Sequence, residues 1–254
     1  MPKKDMKRLL IIAAAALPAL LFAQEKEGRI VYQETVKFEI QLPEGQEAMA
    51  SMLPPSQSFT RILHFTDSES LYKTPDTEPE GGEAEWTGSE GGATVKVVIR
   101  QPESQLYKDL KEKKKVELRE LMGKRFIIRD GTDTFHWKLT GEQQTVVGYT
   151  CFKAVHQDTA RTVVAWFTPQ IPVSTGPDSF GQLPGLILSV DVDNGKRIIT
   201  ATEVFAGESQ DGKLTPPSKG KVVTQEEFDR IEAEKMKEME QEGGEGQMII
   251  RIRD

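Results

Sequence analysis

The chain has 254 residues, with 33 lysines and arginines against 40 aspartates and glutamates, a formal net charge of −7, and one cysteine. That acidity argues against nucleic acid or anionic membrane as a partner, and a lone cysteine excludes an internal disulfide. With 37% apolar residues the chain can bury a core, and that core has to supply the stability.

The chain opens on Lys3, Lys4, Lys7 and Arg8, then runs apolar from Leu9 to Phe22, and offers the small Ala23 before Gln24. A basic segment, a short apolar segment and a small residue are the three parts of a cleaved signal peptide. The apolar run of 14 residues is too short for a membrane span, and Pro18 interrupts it. The expectation is export to the periplasm or beyond, as a protein not integral to the membrane. Removing residues 1–23, which carry +3, leaves an acidic chain of about −10.

Strand signals follow. In Gly28–Ile40, Val36, Phe38 and Ile40 alternate with Lys37 and Glu39, the pattern of a half-buried strand. Glu47–Ser56 reads as a turn or short helix stopped by Pro54 and Pro55. Phe59–Phe65 and Ser70–Lys73 read as a hairpin. The acidic, glycine-rich stretch 74–92 reads as a loop, with Trp86 folded back on the domain edge. Thr94–Gln101 restores the strand pattern. Tyr107–Asp130 has helix-forming composition but a strand-like end and a breaking Gly123, and reads as two strands. Its lysines, Lys111 and Lys113 to Lys115, suit a solvated edge strand.

Thr134–Thr140, Thr145–Asp158 and Ala160–Pro169 are further short strands between turn residues. Gly185–Phe205 is the clearest hairpin: Leu186, Leu188, Val190 and Val192 alternate, and Asn194-Gly195 suits a type I′ turn. After a linker-like stretch to Val223, Thr224 and Glu227 form a capping box. Phe228, Ile231, Met236 and Met239 share one helical stripe. A Gly/Glu spacer, Gly243–Gly246, and a terminal strand or recognition segment, Gln247–Asp254, close the chain.

Chemistry leaves few traces. No His-Glu-x-x-His, Gly-x-Ser-x-Gly or phosphate-binding glycine loop occurs. His64, His136 and His156 sit in separate strands without metal-ligand spacing. Cys151 and His156 are about 16 Å apart by strand rise and point to opposite faces, so Cys151 reads as a core residue. Asp191–Gly195 has a calcium-like start but lacks the later ligands, and the hairpin turn accounts for it. The reading assigns no catalytic, metal or cofactor residue, and the protein is expected to be a non-enzyme.

One set of residues is distinctive: Trp137, Gly148-Tyr149, Cys151, Lys153-Ala154, Ala165-Trp166, Pro172, Gly176-Pro177, and the run Leu183, Pro184, Gly185, Leu186, Ile187. It resembles the signature of the GLPGLI family of exported Bacteroidetes proteins, strongly over Thr134–Phe205 and more loosely over Gly28–Tyr72. Gln182 stands where the motif's first glycine would be. The resemblance implies a periplasmic or extracellular cell-envelope protein of unknown biochemical role. It also implies a mostly β fold, a curved antiparallel sheet or incomplete barrel like that of lipoprotein carriers. The domain plan is a signal peptide (1–23), a β domain (24–206), and a linker, surface helix and terminal segment (207–254). Pro184 and Gly185 suit a tight corner at the rim of that sheet. The functional expectation is a binding or accessory protein whose apolar concave face takes a lipid-like or peptide ligand or docks an outer-membrane protein. The alternative is an envelope sensor or interaction module using the terminal helix and tail.

Overall fold

Ile30, Tyr32, Glu34 and Val36 are buried, while the residues between them are half-buried or exposed, and this two-residue period makes β1 (Gly28–Lys37) a strand with one inner face. The computed structural model describes residues 25–37, 39–40, 55–76, 83–90, 93–100, 103–157, 161–208, 214–242 and 250–251. The expected signal segment, residues 47–54 of the expected Glu47–Ser56 turn or helix, Phe38 and the expected Gly243–Gly246 spacer lie outside them, and Ser56 itself begins a strand.

After β1 come β2 (Glu39–Ile40), β3 (Ser56–Phe65), β4 (Glu69–Lys73), β5 (Glu83–Glu90) and β6 (Ala93–Arg100). Then follow β7 (Ser104–Asp109), β8 (Lys114–Leu121), β9 (Lys124–Gly131), β10 (Lys138–Val146), β11 (Tyr149–Gln157) and β12 (Thr162–Thr168). The chain ends through β13 (Leu186–Val192), β14 (Arg197–Ala206), β15 (Lys221–Val223), α1 (Gln225–Glu242) and β16 (Ile250–Arg251).

Twelve of these strands form one open sheet in the order β10-β11-β12-β13-β14-β1-β3-β4-β7-β8-β9-β15. Every pair is antiparallel except β15 with β9. The sheet does not close into a barrel. β1 is the seam, joining the meander β10–β14 on one side to β3, β4, β7, β8, β9 and β15 on the other. Two small ladders, β5 with β6 and β2 with β16, stand apart from the sheet.

The β3–β4 hairpin forms as expected, and Thr66 sets its turn: its Oγ1 accepts from the N–H groups of Ser68 and Glu69. The helix also forms as expected. Thr224 Oγ1 accepts from Glu227 N–H at 3.1 Å, and Glu227 Oε2 accepts from Thr224 N–H at 3.0 Å. Phe228 is buried edge-on against Phe126, with Ile128 and Val223 beside it, so the helix docks on its own sheet.

Several expectations are corrected. Stretch 74–92 contains a strand, β5, where Trp86 lies opposite Val97. Tyr107–Asp130 holds the end of β7 and all of β8 and nearly all of β9. β8 lies between β7 and β9, so it is not an edge strand, and Lys115 is buried rather than solvated. Thr134–Trp137 precedes β10 instead of belonging to it, and Val147-Gly148 splits the segment 145–158 into two strands. The β13–β14 loop is not a two-residue type I′ turn. Asp193, Asn194 and Gly195 all have positive φ, and Lys196 N–H donates to Val192 O, closing a four-residue left-handed loop.

The concave face is apolar around Ile30, Leu63, Phe65 and Leu188, and that part is filled by the chain itself. Ile171, Val173, Phe180 and Leu183, on the irregular segment between β12 and β13, all bury there. Each such side chain contributes at most about 1.5–3 kcal/mol. The segment therefore acts as a plug. The expected open apolar concave face is not present among the described residues.

Candidate functional site

The open part of the same face is charged. Three strands each place one charge in the phase otherwise occupied by apolar side chains. On β1 it is Glu34, in line with Ile30, Tyr32 and Val36. On β3 it is Arg61, in line with Leu63 and Phe65, and on β14 it is Arg197, in line with Ile199 and Ala201. Glu34 accepts from Arg197 Nε at 2.7 Å, from Arg61 Nε at 3.3 Å and from the Tyr72 hydroxyl at 3.4 Å. Arg197 Nη1 also donates to Asp178 Oδ2 at 2.7 Å. Burial pushes the Tyr72 hydroxyl well up, and Glu34 adds to this against the opposing arginines. Burial would raise Asp178, but Arg197, Lys108 and Arg119 outweigh it and hold the carboxyl at about 2.

β8 continues the charged surface. Lys115 Nζ donates to Asp133 Oδ1 at 2.7 Å, and Arg119 donates to Glu117. Burial raises Glu117, with Arg119 opposing. These groups line a cleft of about 390 Å³ between the sheet, the plug and the helix, whose Phe228 and Glu232 form one wall. Acidic and basic groups share the lining, and most pair with one another.

Lys108 of β7 ties the plug to the sheet. It is 3% exposed, and its ammonium donates to the carbonyl oxygens of Gly176 at 3.1 Å, Asp178 at 2.6 Å and Phe180 at 2.9 Å. Three donors thus meet three acceptors. Burial lowers Lys108 to about 7, with Asp178 and Asp133 opposing and Lys115 adding to the lowering. Ser70 Oγ with Thr175 Oγ1 (3.0 Å) completes the attachment, and the Tyr32 hydroxyl donates to Ile187 O of β13 beside it (2.6 Å).

The sequence-derived positions divide into two groups. Trp137, Gly176, Pro177, Leu183, Gly185, Leu186 and Ile187 come together in or beside the plug. Trp137 Nε1 donates to Gly181 O at 2.9 Å, and its ring stacks on Phe135. A Cβ at Gly185 would lie 2.2 Å from Thr168 O, and one at Gly176 would lie 2.6 Å from Ile187 Cβ. These glycines permit close packing. Pro184 is exposed at the corner. Gln182 has φ +65°, the left-handed conformation glycine favours. Its side chain accepts from Phe135 N–H and donates to Asp133 O.

Gly148, Tyr149 and Trp166 lie elsewhere. Gly148 is in the β10–β11 turn at φ +80°, and Tyr149 starts β11. Trp166 is half-buried on β12, within 6.0 Å of Lys153 Nζ. Cys151 is fully buried, and burial pushes its thiol up to about 11, against a backbone hydrogen bond from Val146.

No cluster of three His, Cys, Asp or Glu able to hold a metal occurs among the described residues. His156 Nδ1 lies 3.2 Å from both the N–H nitrogen and the carbonyl oxygen of His136. Asp191 and Asp193 accept from the N–H groups of Gly195 and Thr162, so the turn uses both carboxylates. No described helix is long and apolar enough to cross a membrane.

A family model described as "Protein of unknown function (Porph_ging)" matches residues 155–189, from within β11 through the plug into β13. Among curated proteins none matches the chain. Two solved structures of PNGF-II, in space groups P21 and C2, are each 16% identical, with TM-scores of 0.48 and 0.47. The matches cover 81% and 82% of this chain but only 33% and 32% of those chains.

Proposed function

We propose that this is an exported cell-envelope protein of the GLPGLI type that binds a polar ligand in the charged cleft without transforming it. The cleft itself carries this reading: it is preformed, roughly the size of a small-ligand site, and walled by charges that largely neutralise one another. His64, His136, His156 and Cys151 do not line it. The plug occupies the apolar part of the concave face, so a polar or peptide ligand suits the open part better than a lipid-like one. The sensor alternative gains less support, because Phe228 anchors the helix to the protein's own sheet and β16 pairs with β2.

Incubating the protein with a low-molecular-weight envelope extract tests the reading. Denaturing the washed protein should release a bound component chemically identical to one in the extract, whose composition stays otherwise unchanged. Conversion of any extract component, abolished in Glu117→Gln, would overturn binding in favour of catalysis. Export has its own check. The mature protein should begin at Gln24, whereas cytoplasmic retention with residues 1–23 intact would contradict it.

A further inference from the structure

The charges around the cleft are not equally engaged. On β8, Lys115, Glu117 and Arg119 share the inner phase, while Glu120 lies with Val116 and Leu118 on the opposite face. Among the described residues, Glu34, Glu117, Asp133 and Asp178 are each held. Glu34 accepts from Arg61, Arg197 and Tyr72, Glu117 takes Arg119 on both oxygens, Asp133 takes Lys115, and Asp178 takes Arg197. Drawing one of these carboxylates away would strand its partner's charge, which costs more than a new contact returns.

Two cations keep donors in hand. Lys115 is 8% exposed, yet among the described residues its ammonium meets one acceptor, Asp133, where the similarly buried Lys108 meets three. Two of its three N–H groups are left over. Arg161 stands one residue before β12, in phase with the core residues Val163 and Ala165, and lines the cleft. Its guanidinium has no hydrogen-bond or ion-pair partner among the described residues. The inner surface therefore has donors to spare while its carboxylates are committed. That imbalance favours an anion rich in acceptors and disfavours an ammonium group.

Resting on the binding reading above, we infer that the ligand is a small hydroxylated carboxylic acid of the sugar-acid class, its carboxylate on Arg161 and further oxygens on Lys115. The guanidinium fork fits a carboxylate through two parallel N–H donors. Arg161 supplies one unmatched charge, so a single carboxylate suits it better than a phosphate ester, which carries nearly two. The body of the ligand meets little apolar surface, because Leu106, Phe180 and Phe228 of the lining are themselves buried. Ser104 and Ser179 add hydroxyls to the same lining.

Two readouts test this on the mature chain. The component captured from the envelope extract should bind an anion exchanger at neutral pH, and Arg161→Gln should capture roughly 10- to 100-fold less of it, the loss of one charge-assisted bond. In titration calorimetry, gluconate, glucuronate or lactobionate should bind more tightly than glucose, acetate and glucose 6-phosphate. Glucose lacks the charge, acetate lacks the hydroxyls, and the phosphate ester carries a second charge. Arg161→Gln should weaken the acid by the same factor and leave glucose unchanged, whereas Lys115→Gln should weaken both. Unchanged thermal unfolding of Arg161→Gln would show that its fold is retained. A neutral or cationic captured component, no binding by any of the three acids, tighter binding of glucose 6-phosphate, or binding indifferent to Arg161→Gln would overturn the inference. In each of those cases a component still captured unchanged leaves the binding reading standing, whereas an extract that yields no bound component defeats both.

Discussion

Lys108 lies in the same strand phase as Leu106, and its ammonium is almost wholly removed from water. Three carbonyls of the plug replace that water, so replacing the side chain by an apolar one would leave several acceptors unsatisfied. Lys108→Met should therefore destabilise the protein by about 3 kcal/mol or more, read as a lower urea midpoint. A loss under about 1 kcal/mol would mean that the plug does not depend on this attachment. Asp178 adds a pH dependence. Its carboxyl titrates near 2 in the fold against 3.8 unperturbed, so the unfolded chain binds the proton first. The stability it contributes is complete above about 3.8 and is lost as pH falls through about 2. Asp178→Asn should be less stable than the parent at neutral pH, and the gap should close over that acid window in denaturation series. A gap independent of pH would contradict the Arg197–Asp178 account.

At the scale of elements, the alternating strands and the capped helix were legible because period and capping are local. β3–β4, β13–β14 and the helix N-terminus follow directly from residue order. Glu34, Arg61 and Arg197 also left a readable trace, a charge in the apolar phase of its own strand. That trace gains meaning only when the strands are placed side by side. Lys108 left almost none, since its partners are backbone carbonyls 68 to 72 positions away. The lysines near β8 misled for a similar reason: an edge cannot be told from an interior strand without the sheet order. The glycines of the plug admit a sharper test. Gly185→Ala should cost several kcal/mol, because its Cβ would meet Thr168 O and its φ of +153° is poorly accessible to alanine. Gln182→Gly should change stability by less than about 1 kcal/mol, since relief of the left-handed backbone offsets the lost side-chain bonds. Thermal unfolding of the two variants side by side distinguishes close packing from conformational preference.

Across the whole molecule, one open sheet is divided by its own chain. The plug fills the apolar half of the concave face, while the helix and the charged strands bound the other half. The distinctive sequence around Leu183–Ile187 is thus mainly architectural, and the plug residues that line the cleft are Asp178, Ser179 and Phe180 before it. A binding role for that cleft predicts a localised response in the intact protein. The direct measurement is backbone amide chemical-shift mapping during titration with a low-molecular-weight envelope extract. Shifts should centre on Arg61, Glu117, Asp178, Arg197 and Phe228, around one contiguous cleft. Shifts confined to the β10 edge or to the surface around Trp166, or no shifts at all, would contradict the account.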